Sequence, residues 1–420
     1  LPPYHPDTPV IRENWSRYFD NLWLMDQFVG EKLSELEESG EAGNTIVFYY
    51  ADHGGALPRG KRNIHDSGTR VPLIIRLPEK WKHFASVEAG GWIEDPVAFV
   101  DFPATAANLC GLEIPGIWEG RPFLGPDAVK RRHVYLFRGR MDERYDTVRA
   151  IRTREYLYVK NFSPHRPCGQ AYTYPFRVLA SMGSWYEAFK AGECNEIQAR
   201  YWKPKAAEEL YRIKDDPFQT ASLVGRPEHA AVLGQLRRTL MDEMVRTRDT
   251  GLIPEGMSGR LAGSKTIHDY ARSDAFRARQ VFSAAMLATS RDARVLETLG
   301  RLSRSESALE RYWAATGCLV LGQDAGSLKD RLLALLEDSV FDVRVTAAEA
   351  LGVLGETAAA APVLAAVIKD GNEHESLAAI NALEALGRSG LMSMAEVKAS
   401  LPKQVRGDSN RVIEAIEKIR

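Results

Sequence analysis

The chain has 420 residues, of which 45% are hydrophobic and 26% charged, a composition typical of globular domains with a large core. This length exceeds the roughly 250–300 residues at which single cores stop growing, so two or three domains are expected. The formal net charge of −1 excludes an overall field that would attract nucleic acid or an anionic membrane, and neither is a predicted partner.

The amino-terminal part has the pattern of helices alternating with buried strands. Apolar residues from Trp15 to Leu36 recur at helical spacing, which predicts a helix with one buried stripe that ends near Gly40. Residues 45–51 and 71–76 form short apolar runs, predicted as strands, and the first is expected to be buried on both faces. A helix over residues 102–110 follows, and this order favours an α/β sheet.

The middle of the chain predicts a smaller antiparallel α+β unit. Its strands are expected at residues 133–137, 147–152, 155–161 and 208–213, with a helix at 228–246. Residues 251–265 contain four glycines and one proline, so this segment is predicted to be a linker that few contacts cross.

The last part is rich in alanine and leucine and contains an internal repeat. Residues 314–322, 347–355 and 379–387 share one pattern, and their final glycines lie 33 and 32 positions apart. The pattern resembles HEAT repeats, as does Asp342-Val-Arg344, and an ordinary helical bundle is the alternative. The predicted domains are therefore 1–130, 131–255 and 269–420.

The four cysteines have no spacing typical of a metal site. They are Cys110, Cys168, Cys194 and Cys318. Cys168 and Cys194 would form a disulfide only in an exported protein whose fold brings them within bonding range. The cysteines therefore do not decide between a reducing and an oxidising compartment.

Asp52 and His53 follow the first predicted strand and precede two glycines. In open parallel sheets, ligands bind beyond the carboxyl ends of strands, so an acid beside an imidazole at this place suggests a metal site. A plain turn containing a surface histidine is the alternative, because Asp-His-Gly is common in loops.

The surrounding residues resemble the sulfatase family. The segment from Asn44 to Gly54 resembles the family strand that ends in Ser-Asp-Asn/His-Gly, and residues 61–72 resemble the following loop, with Ser67 in place of the first glycine. The helix around Asp26 and the Glu209-Leu-Tyr211 segment resemble two further family motifs in the expected order. The resemblance covers roughly residues 1–250 and implies an α/β sulfatase-like sheet, present in part, with a small antiparallel α+β subdomain. The repeat pattern then predicts an α-solenoid of HEAT-like repeats after it.

The resemblance also implies roles for individual residues. Asp52 and His53 would be metal ligands, and Lys61 would be the catalytic cation that contacts the sulfate or its bridging oxygen. Oxygen ligands favour calcium, whereas the imidazole tilts the choice toward manganese, and magnesium is a further candidate. The implied substrate is a sulfated small molecule or glycan, and the implied location is the periplasm or the extracellular space.

Three neighbouring side chains are expected to be structural. His65 occupies a position that is more often aromatic in the family, and a donor to the site is the alternative role. Asp66 is expected to bond to the backbone or to Arg70. Asp26, on the apolar stripe of its helix, is expected to satisfy a buried donor.

The sequence departs from the family at the nucleophile. Sulfatases carry Cys or Ser-x-Pro-x-Arg, whose first residue becomes formylglycine, together with a tandem acid pair near the amino terminus, and neither family motif is found here. The proline-rich opening through Pro9 suggests the interior of a longer protein. The expectation is therefore a carboxyl-terminal fragment that is inactive alone, with formylglycine in an amino-terminal part that this chain lacks.

A cationic run in the middle unit is expected to form mostly a solvated face, with some side chains available to sulfated glycans. Arg140, His165 and Arg166 are the candidate substrate-binding residues, because their segments resemble heparan-sulfatase-like members. Two alternatives to a sulfatase stay open. One is a phosphoester or phosphonoester hydrolase of the wider alkaline phosphatase superfamily, and the other is a binding module for sulfated ligands, or for a protein partner through the repeats.

Overall fold

The computed structural model describes residues 1–402 and 407–417. The strands in chain order are β1 (Val47–Tyr50), β2 (Leu73–Arg76), β3 (His133–Arg138), β4 (Val148–Thr153), β5 (Tyr156–Asn161) and β6 (Glu208–Arg212). The α-helices are α1 (Pro9–Glu38), α2 (Asp66–Thr69), α3 (Asp101–Leu109), α4 (Thr173–Val178), α5 (Ala180–Lys190), α6 (Glu196–Ala199), α7 (Ala230–Thr247), α8 (Glu255–Ala262), α9 (Ile267–Arg272), α10 (Ala278–Ala288), α11 (Leu296–Leu302), α12 (Ala308–Leu321), α13 (Lys329–Leu335), α14 (Phe341–Val353), α15 (Thr357–Asp370), α16 (Glu373–Arg388), α17 (Met394–Ala399) and α18 (Asp408–Glu417).

Helix α1 forms where the sequence predicts it, but its apolar stripe is not buried. Thr8 caps the helix by accepting the Ile11 N–H at 3.2 Å, and Pro9 occupies the first turn. Only Ile11 is buried on α1, and Phe19 is 59% exposed. Asp26 is also exposed, so the expectation that it satisfies a buried donor is wrong. The helix packs against α5.

Strands β1 and β2 form a short antiparallel pair, with Val47 opposite Arg76 and Tyr50 opposite Leu73. Within the described residues this sheet has no further strand. The expectation that β1 is buried on both faces is therefore wrong, because each face has only partial cover. Phe102 of α3 packs on one face against Tyr50, while Met25 of α1 meets the Tyr49 hydroxyl on the other.

The second sheet confirms the predicted antiparallel strands, in the order β3-β4-β5-β6. Alternate residues of β5 face opposite layers, as the pleat requires. Leu157 and Val159 belong to one apolar cluster, which Ile64 of the loop after β1 joins. Tyr158 belongs to the other cluster, together with residues of α7 and of the carboxyl-terminal helices. The sheet therefore lies between the loop after β1 and the helical part.

The carboxyl-terminal part is a stack of helices in which α12 packs on α14 and α14 on α16. These three helices contain the three repeated segments. Gly322 and Gly355 end their helices with φ of 58° and 92°, whereas Gly387 lies inside α16, where Met394 packs closely against it. The stack agrees with the repeat pattern, and the assignment to HEAT repeats stays a prediction. Positions 403–406 and 418–420 of the predicted repeat domain lie outside the described residues.

The segment predicted as a linker is ordered structure inside a shared core. Residues 255–262 form α8, and Leu252, Ile253 and Met257 are buried. They belong to the same apolar cluster as the inner face of the second sheet and the helices that follow. The expectation of few contacts across this segment is therefore wrong. The glycines do not loosen the segment, because they allow α8 to approach its neighbours closely. At Gly256, the Asp342 carboxylate occupies the place that a Cβ would take.

Ion pairs also join the second sheet to the helical stack. Arg144, in the loop between β3 and β4, pairs with Glu384 of α16, and both side chains are nearly inaccessible to solvent. The Asn381 amide of the same helix donates to the Glu143 carbonyl oxygen at 3.0 Å. Buried charges are tolerated only when paired, so this contact fixes how α16 meets the sheet.

Two features of the described residues bear on the cellular setting. All four cysteines are free, so Cys168 and Cys194 form no disulfide in this structure. No helix combines the length and the apolar character needed to cross a membrane.

His5 ties the amino-terminal segment to the loop after β1. Its Nε2 hydrogen-bonds to the Pro58 carbonyl oxygen at 2.9 Å, and its Nδ1 accepts the Trp15 indole N–H at 3.0 Å. The second contact requires the neutral ring, because Nδ1 can accept a hydrogen only when it is unprotonated. Burial lowers the pKa of His5 to about 4, and the charge of Arg59 acts in the same direction.

We expect His5 to make folding acid-sensitive. Its pKa is lower in the folded chain than the unperturbed 6.5, so its contribution is complete above pH 6.5 and is lost as the pH falls to about 4. The shift corresponds to about 3 kcal/mol. Urea unfolding between pH 7 and 4 should show that His5→Leu loses less stability than the wild type. His268→Leu, at an exposed position, is the control. The assignment would be contradicted if the free energy of unfolding of His5→Leu fell with pH as steeply as that of the wild type.

Breaking the buried pair on α16 should be costly. Glu384→Gln leaves the Arg144 charge buried without a counter-ion and should lower the free energy of unfolding by about 3–5 kcal/mol. Arg144→Met/Glu384→Leu should recover most of that loss. Arg388→Met removes the more exposed partner of the same carboxylate and should cost about 1 kcal/mol or less. Equal losses for Glu384→Gln and Arg388→Met, measured by urea unfolding, would refute this role.

Candidate active site

The loop after β1 folds back on itself through close backbone contacts. The Gly54 N–H donates to the Gly68 carbonyl oxygen at 3.0 Å, and the Lys61 N–H donates to the Gly55 carbonyl oxygen at 2.9 Å. A Cβ at Gly54 would overlap the Ser67 carbonyl oxygen, and one at Gly60 would overlap the Gly55 carbonyl oxygen. The glycines therefore bring Asp52, His53 and Lys61 onto one compact loop. This site is called the corner below.

His53 has a fixed ring orientation in the corner. Its Nδ1 lies 2.7 Å from the Gly54 carbonyl oxygen, which can only accept, so Nδ1 carries the hydrogen of the neutral ring. The Nε2 lone pair then faces the Asp52 carboxylate, with Nε2 and Oδ2 3.5 Å apart. Two lone-pair atoms at this separation are stabilised by a cation between or beside them.

Asp52 and His53 therefore fit part of a metal-ligand shell. A backbone carbonyl that holds the second ring nitrogen is the usual way to orient a ligating histidine. The Asp52 side chain is 85% exposed and open to a metal. Among the described residues, however, no cluster of three or more His, Cys, Asp or Glu side chains suits a metal ion. The corner offers two ligands, which is half a shell at most.

Lys61 lies between two anchored arginines. Arg59 and Arg62 both have left-handed backbone, with φ of 62° and 76°, a strain that persists only where surrounding contacts impose it. The Arg59 guanidinium donates to the carbonyl oxygens of Phe218 and Gln219 at 3.0 and 2.8 Å. Lys61 itself is exposed, and its ammonium makes no ion pair with the described residues.

Arg62 connects the corner to the loop between β3 and β4. Its guanidinium lies 2.6 Å from the Asp142 carboxylate and packs over the Tyr174 ring. Asp142 is two positions before Arg144, whose pair with Glu384 reaches the helical stack. The position of Lys61 therefore depends on contacts that extend into the carboxyl-terminal part.

The Asp66 carboxylate does not meet the Arg70 side chain, one of its two expected partners, although the Arg70 N–H donates to the Asp66 carbonyl oxygen at 2.9 Å. The Asp66 carboxylate accepts the Nε and Nη2 hydrogens of Arg152, each at 2.9 Å, in a fork from β4. The Asp66 N–H donates to the Gln219 side chain at 3.0 Å. The prediction of a structural role is correct, but the partner comes from the second sheet, because the Arg152 side chain of β4 reaches the Asp66 carboxylate.

His65 is a buried structural residue rather than a donor to the corner. Its Nε2 lies 3.2 Å from the Glu209 carboxylate, and its ring meets the Tyr211 ring edge-on. Burial lowers the pKa of His65, and the charge of Arg59 adds to the effect. Although burial opposes the change, hydrogen bonds from His65, Tyr211 and Asn161 lower the pKa of Glu209 to about 2. The loop after β1 and the Glu209-Leu-Tyr211 segment thus pack on each other.

The expectation of a mostly solvated cationic face in the middle unit is wrong. Arg138, Arg144, Arg149 and Lys160 are all less than 5% exposed. Arg149 forms a fork with Asp249, and Arg138 lies 3.5 Å from Asp146. Alternation along a strand would leave one face in solvent only if nothing covered it, whereas here both faces of the sheet are covered.

The candidate substrate-binding residues already have intramolecular neighbours. Arg140 pairs with Glu255 at 2.5 Å and with Asp408 at 3.0 Å, while Arg166 pairs with Glu349 at 2.6 Å. His165 has a buried Nδ1 without a hydrogen-bond partner, and burial holds its pKa well below the ordinary value. Their role in substrate binding stays a prediction. To bind an anionic group of a substrate, Arg140 and Arg166 would first have to release these intramolecular carboxylates.

Sequence reasoning did not identify the residues that hold Lys61 in place. Arg59, Arg62 and Asp142 act through contacts distant in sequence, and their left-handed backbone has no signature in residue type. The one available signal was the density of arginine beside the candidate lysine, at positions 59 and 62.

The corner lies within a recognised family segment. Residues 3–112 match the sulfatase family. This match covers α1, β1, the corner, β2 and α3, which is the amino-terminal part of the chain. The ulvan-active sulfatase of Formosa agariphila is 34% identical over 262 residues, which are 61% of this chain and 42% of that protein.

Human N-sulphoglucosamine sulphohydrolase is also a relative, 24% identical over 275 residues, which are 61% of this chain and 53% of that protein. The chain thus spans about half the length of the curated relatives it matches. A solved structure from Bacteroides thetaiotaomicron, described as a sulfatase, aligns with a TM-score of 0.41 and 18% identity over 59% of this chain and 46% of that chain.

The close backbone approach at the corner can be tested with two glycines. Gly54→Ala places a methyl group on the Ser67 carbonyl oxygen and should destabilise the fold by about 1–3 kcal/mol. Gly30→Ala, in the open middle of α1, should stabilise it by up to about 1 kcal/mol. Thermal unfolding of both variants gives the comparison. Equal effects would mean that the backbone at the corner is not closely packed.

Proposed function

We propose that the corner is part of the active site of a sulfuric ester hydrolase that acts on a sulfated saccharide. The observation that carries the proposal is the oriented pair of His53 Nε2 and Asp52 Oδ2, with Lys61 on the same folded loop. The sulfatase match over residues 3–112 and the similarity to two named sulfatases support it.

Asp52 and His53 would hold a divalent metal ion. Calcium suits the carboxylate, while manganese or magnesium would be acceptable, with manganese favoured by the imidazole. The bound ion supplies a fixed positive charge for the oxygens of the sulfate. Asp52 and His53 contribute half of the shell, so the affinity of this chain alone for a metal should be weak.

Lys61 would bind the sulfate group or neutralise charge on the bridging oxygen as the ester bond breaks. A preorganised cation is worth most where charge develops in the transition state, and Lys61 has no competing carboxylate in the described chain. Arg59 and Arg62 hold its backbone without occupying its ammonium. This arrangement fixes the backbone that carries Lys61 and leaves its ammonium available to the sulfate.

The covalent nucleophile is proposed to come from polypeptide outside these 420 residues. No cysteine or serine in the sequence is followed by x-Pro-x-Arg, the pattern from which sulfatases form formylglycine. A metal and a lysine do not replace a covalent nucleophile, so we propose that this chain alone is inactive. Export to the periplasm or the extracellular space is part of the same proposal.

The test is sulfate release from an aryl sulfate and from a sulfated disaccharide. The 420-residue chain should release none with added calcium, magnesium or manganese. In a polypeptide that also carries the nucleophile motif, Asp52→Ala, His53→Ala and Lys61→Ala should each lower turnover about 100-fold or more. Exposed Lys82→Ala is the matched control and should retain full turnover.

Three outcomes would contradict the proposal. Full activity of Lys61→Ala would remove its catalytic role. Metal-dependent release by the 420-residue chain, above a His53→Ala control, would show that a nucleophile lies within it. Faster hydrolysis of phosphate esters than of sulfate esters by the active polypeptide would assign the corner to phosphoester hydrolysis.

A further inference from the structure

A second cationic site lies apart from the corner. It is a cleft between residues 119–132, the start of β3 and the end of α7. Its volume of about 210 Å³ is several times the roughly 30 Å³ that one water molecule occupies in the liquid. Its lining cations are Arg121, Lys130, Arg131, Arg132 and Arg246. The carboxylates of Glu119 and Glu243 are also part of the lining.

Asp101 preorganises one side of the cleft. Its carboxylate is 2% exposed and accepts two hydrogens from Arg131, one of them from Nε at 3.0 Å. It also accepts the Arg121 N–H at 2.9 Å, so one buried acid fixes both ends of the lining loop. A guanidinium has five N–H donors, so Arg131 retains three after this fork.

Glu243 preorganises the opposite side. It accepts Arg246 Nε and Nη2 at 2.9 and 2.7 Å, and the His133 ring meets its other oxygen at 3.0 Å. The hydrogen bond from His133 is the largest influence on the pKa of Glu243, which lies at about 2. The carboxylate is therefore ionised but already neutralised, and it orients Arg246 without repelling an anion.

Two of the lining cations have no counter-ion. Arg121 and Arg132 are exposed, and neither forms an ion pair with any residue that the structure describes. The buried Arg144 and Arg149 are different, because they meet carboxylates. A cleft with two unpaired guanidinium groups beside two oriented ones has a surplus of positive charge directed at a small volume.

We infer that this cleft binds sulfate and carboxylate groups of an anionic saccharide, at a site outside the corner. The planar guanidinium fork matches both groups with paired hydrogen bonds, and several forks suit a polyanionic chain better than a single ion. The saccharide class rests on the proposed function. The cleft and the corner share no residue, so the two sites can be tested separately.

The test is equilibrium binding of a fluorescein-labelled heparin hexasaccharide to the 420-residue chain without added metal. Arg121→Glu/Arg132→Glu should bind about tenfold more weakly or worse, because two charge-assisted contacts become repulsive. Arg301→Glu/Arg304→Glu makes the same charge change at two exposed arginines of the helical stack. It should bind within about twofold of the wild type. Circular dichroism should show that both variants are folded.

Comparison ligands test the class of ligand. An unsulfated hexasaccharide that retains its carboxylates should bind more weakly than the sulfated one, and inorganic sulfate should compete only at much higher concentration. Equal weakening by the two double variants would overturn the site, as would the absence of saturable binding by the wild type. If inorganic sulfate competed at an equal concentration of sulfate groups, the cleft would be a site for a free oxyanion, and the saccharide assignment would be overturned. Equally tight binding of a single-stranded DNA of the same length would overturn the saccharide assignment.

The outcome does not depend on catalysis. The binding experiment uses no metal and no nucleophile, so failure of the sulfate-release experiment leaves it interpretable. Loss of hexasaccharide binding in Arg121→Glu/Arg132→Glu, with an inactive corner, would support a binding site without hydrolysis. Turnover without binding at the cleft would overturn this inference and leave the proposed function intact.

Discussion

Arginines of β4 and of the loop before it impose a constraint that joins the parts of the chain. Each charge has to meet a carboxylate, because an unpaired guanidinium in the core would cost several kcal/mol. Arg152 meets Asp66 in the loop after β1, Arg149 meets Asp249 before α8, and Arg144 meets Glu384 on α16. These pairs determine which segments lie against the sheet. Their value is in specifying the arrangement, since a buried ion pair adds little net stability over an apolar one of the same shape.

This arrangement gives the corner its rigidity. The corner is a loop, and loops without such contacts would not keep a lysine and two ligands in a fixed relation. Here Ile64 packs on the sheet, Asp66 is held by Arg152, and Arg62 is held by Asp142. The carboxyl-terminal helices support the same loop indirectly. Helix α16 contacts the loop between β3 and β4 through Glu384 and Arg144, and Asp142 of that loop contacts Arg62 of the corner.

The two cationic sites differ in how they treat charge. In the proposed function, the corner presents one exposed lysine on the same loop as two candidate metal ligands, which suits a group that changes charge during a reaction. The cleft presents several guanidinium groups, some oriented by Asp101 and Glu243, which suits recognition of fixed charges. A hydrolase of polyanionic saccharides would need both functions, because binding energy from remote groups helps to position the reacting one.

Much of the local structure could be predicted from the sequence. Periodicity located β3, β4, β5, β6 and α7 to within two residues, and it located α1 except for its first six residues. The sequence also offered Asp52, His53 and Lys61 as candidate site residues, since they follow one short strand in a distinctive order, and their roles stay predictions. The two glycines after His53, at positions 54 and 55, pointed to a sharp turn, and the close backbone contact at Gly54 agrees.

Tertiary structure decided which of these side chains have partners. The sequence could not show that the cationic run is buried, because burial depends on the helical stack that covers the far face of the sheet. It could not show that residues 251–265 are part of the core, since glycine and proline occur both in linkers and in close packing. The apolar stripe of α1 and the faces of β1 show the opposite case, because residues predicted to be buried are partly exposed. An apolar pattern shows which side chains can be buried, whereas the arrangement of neighbouring elements determines which side chains are buried.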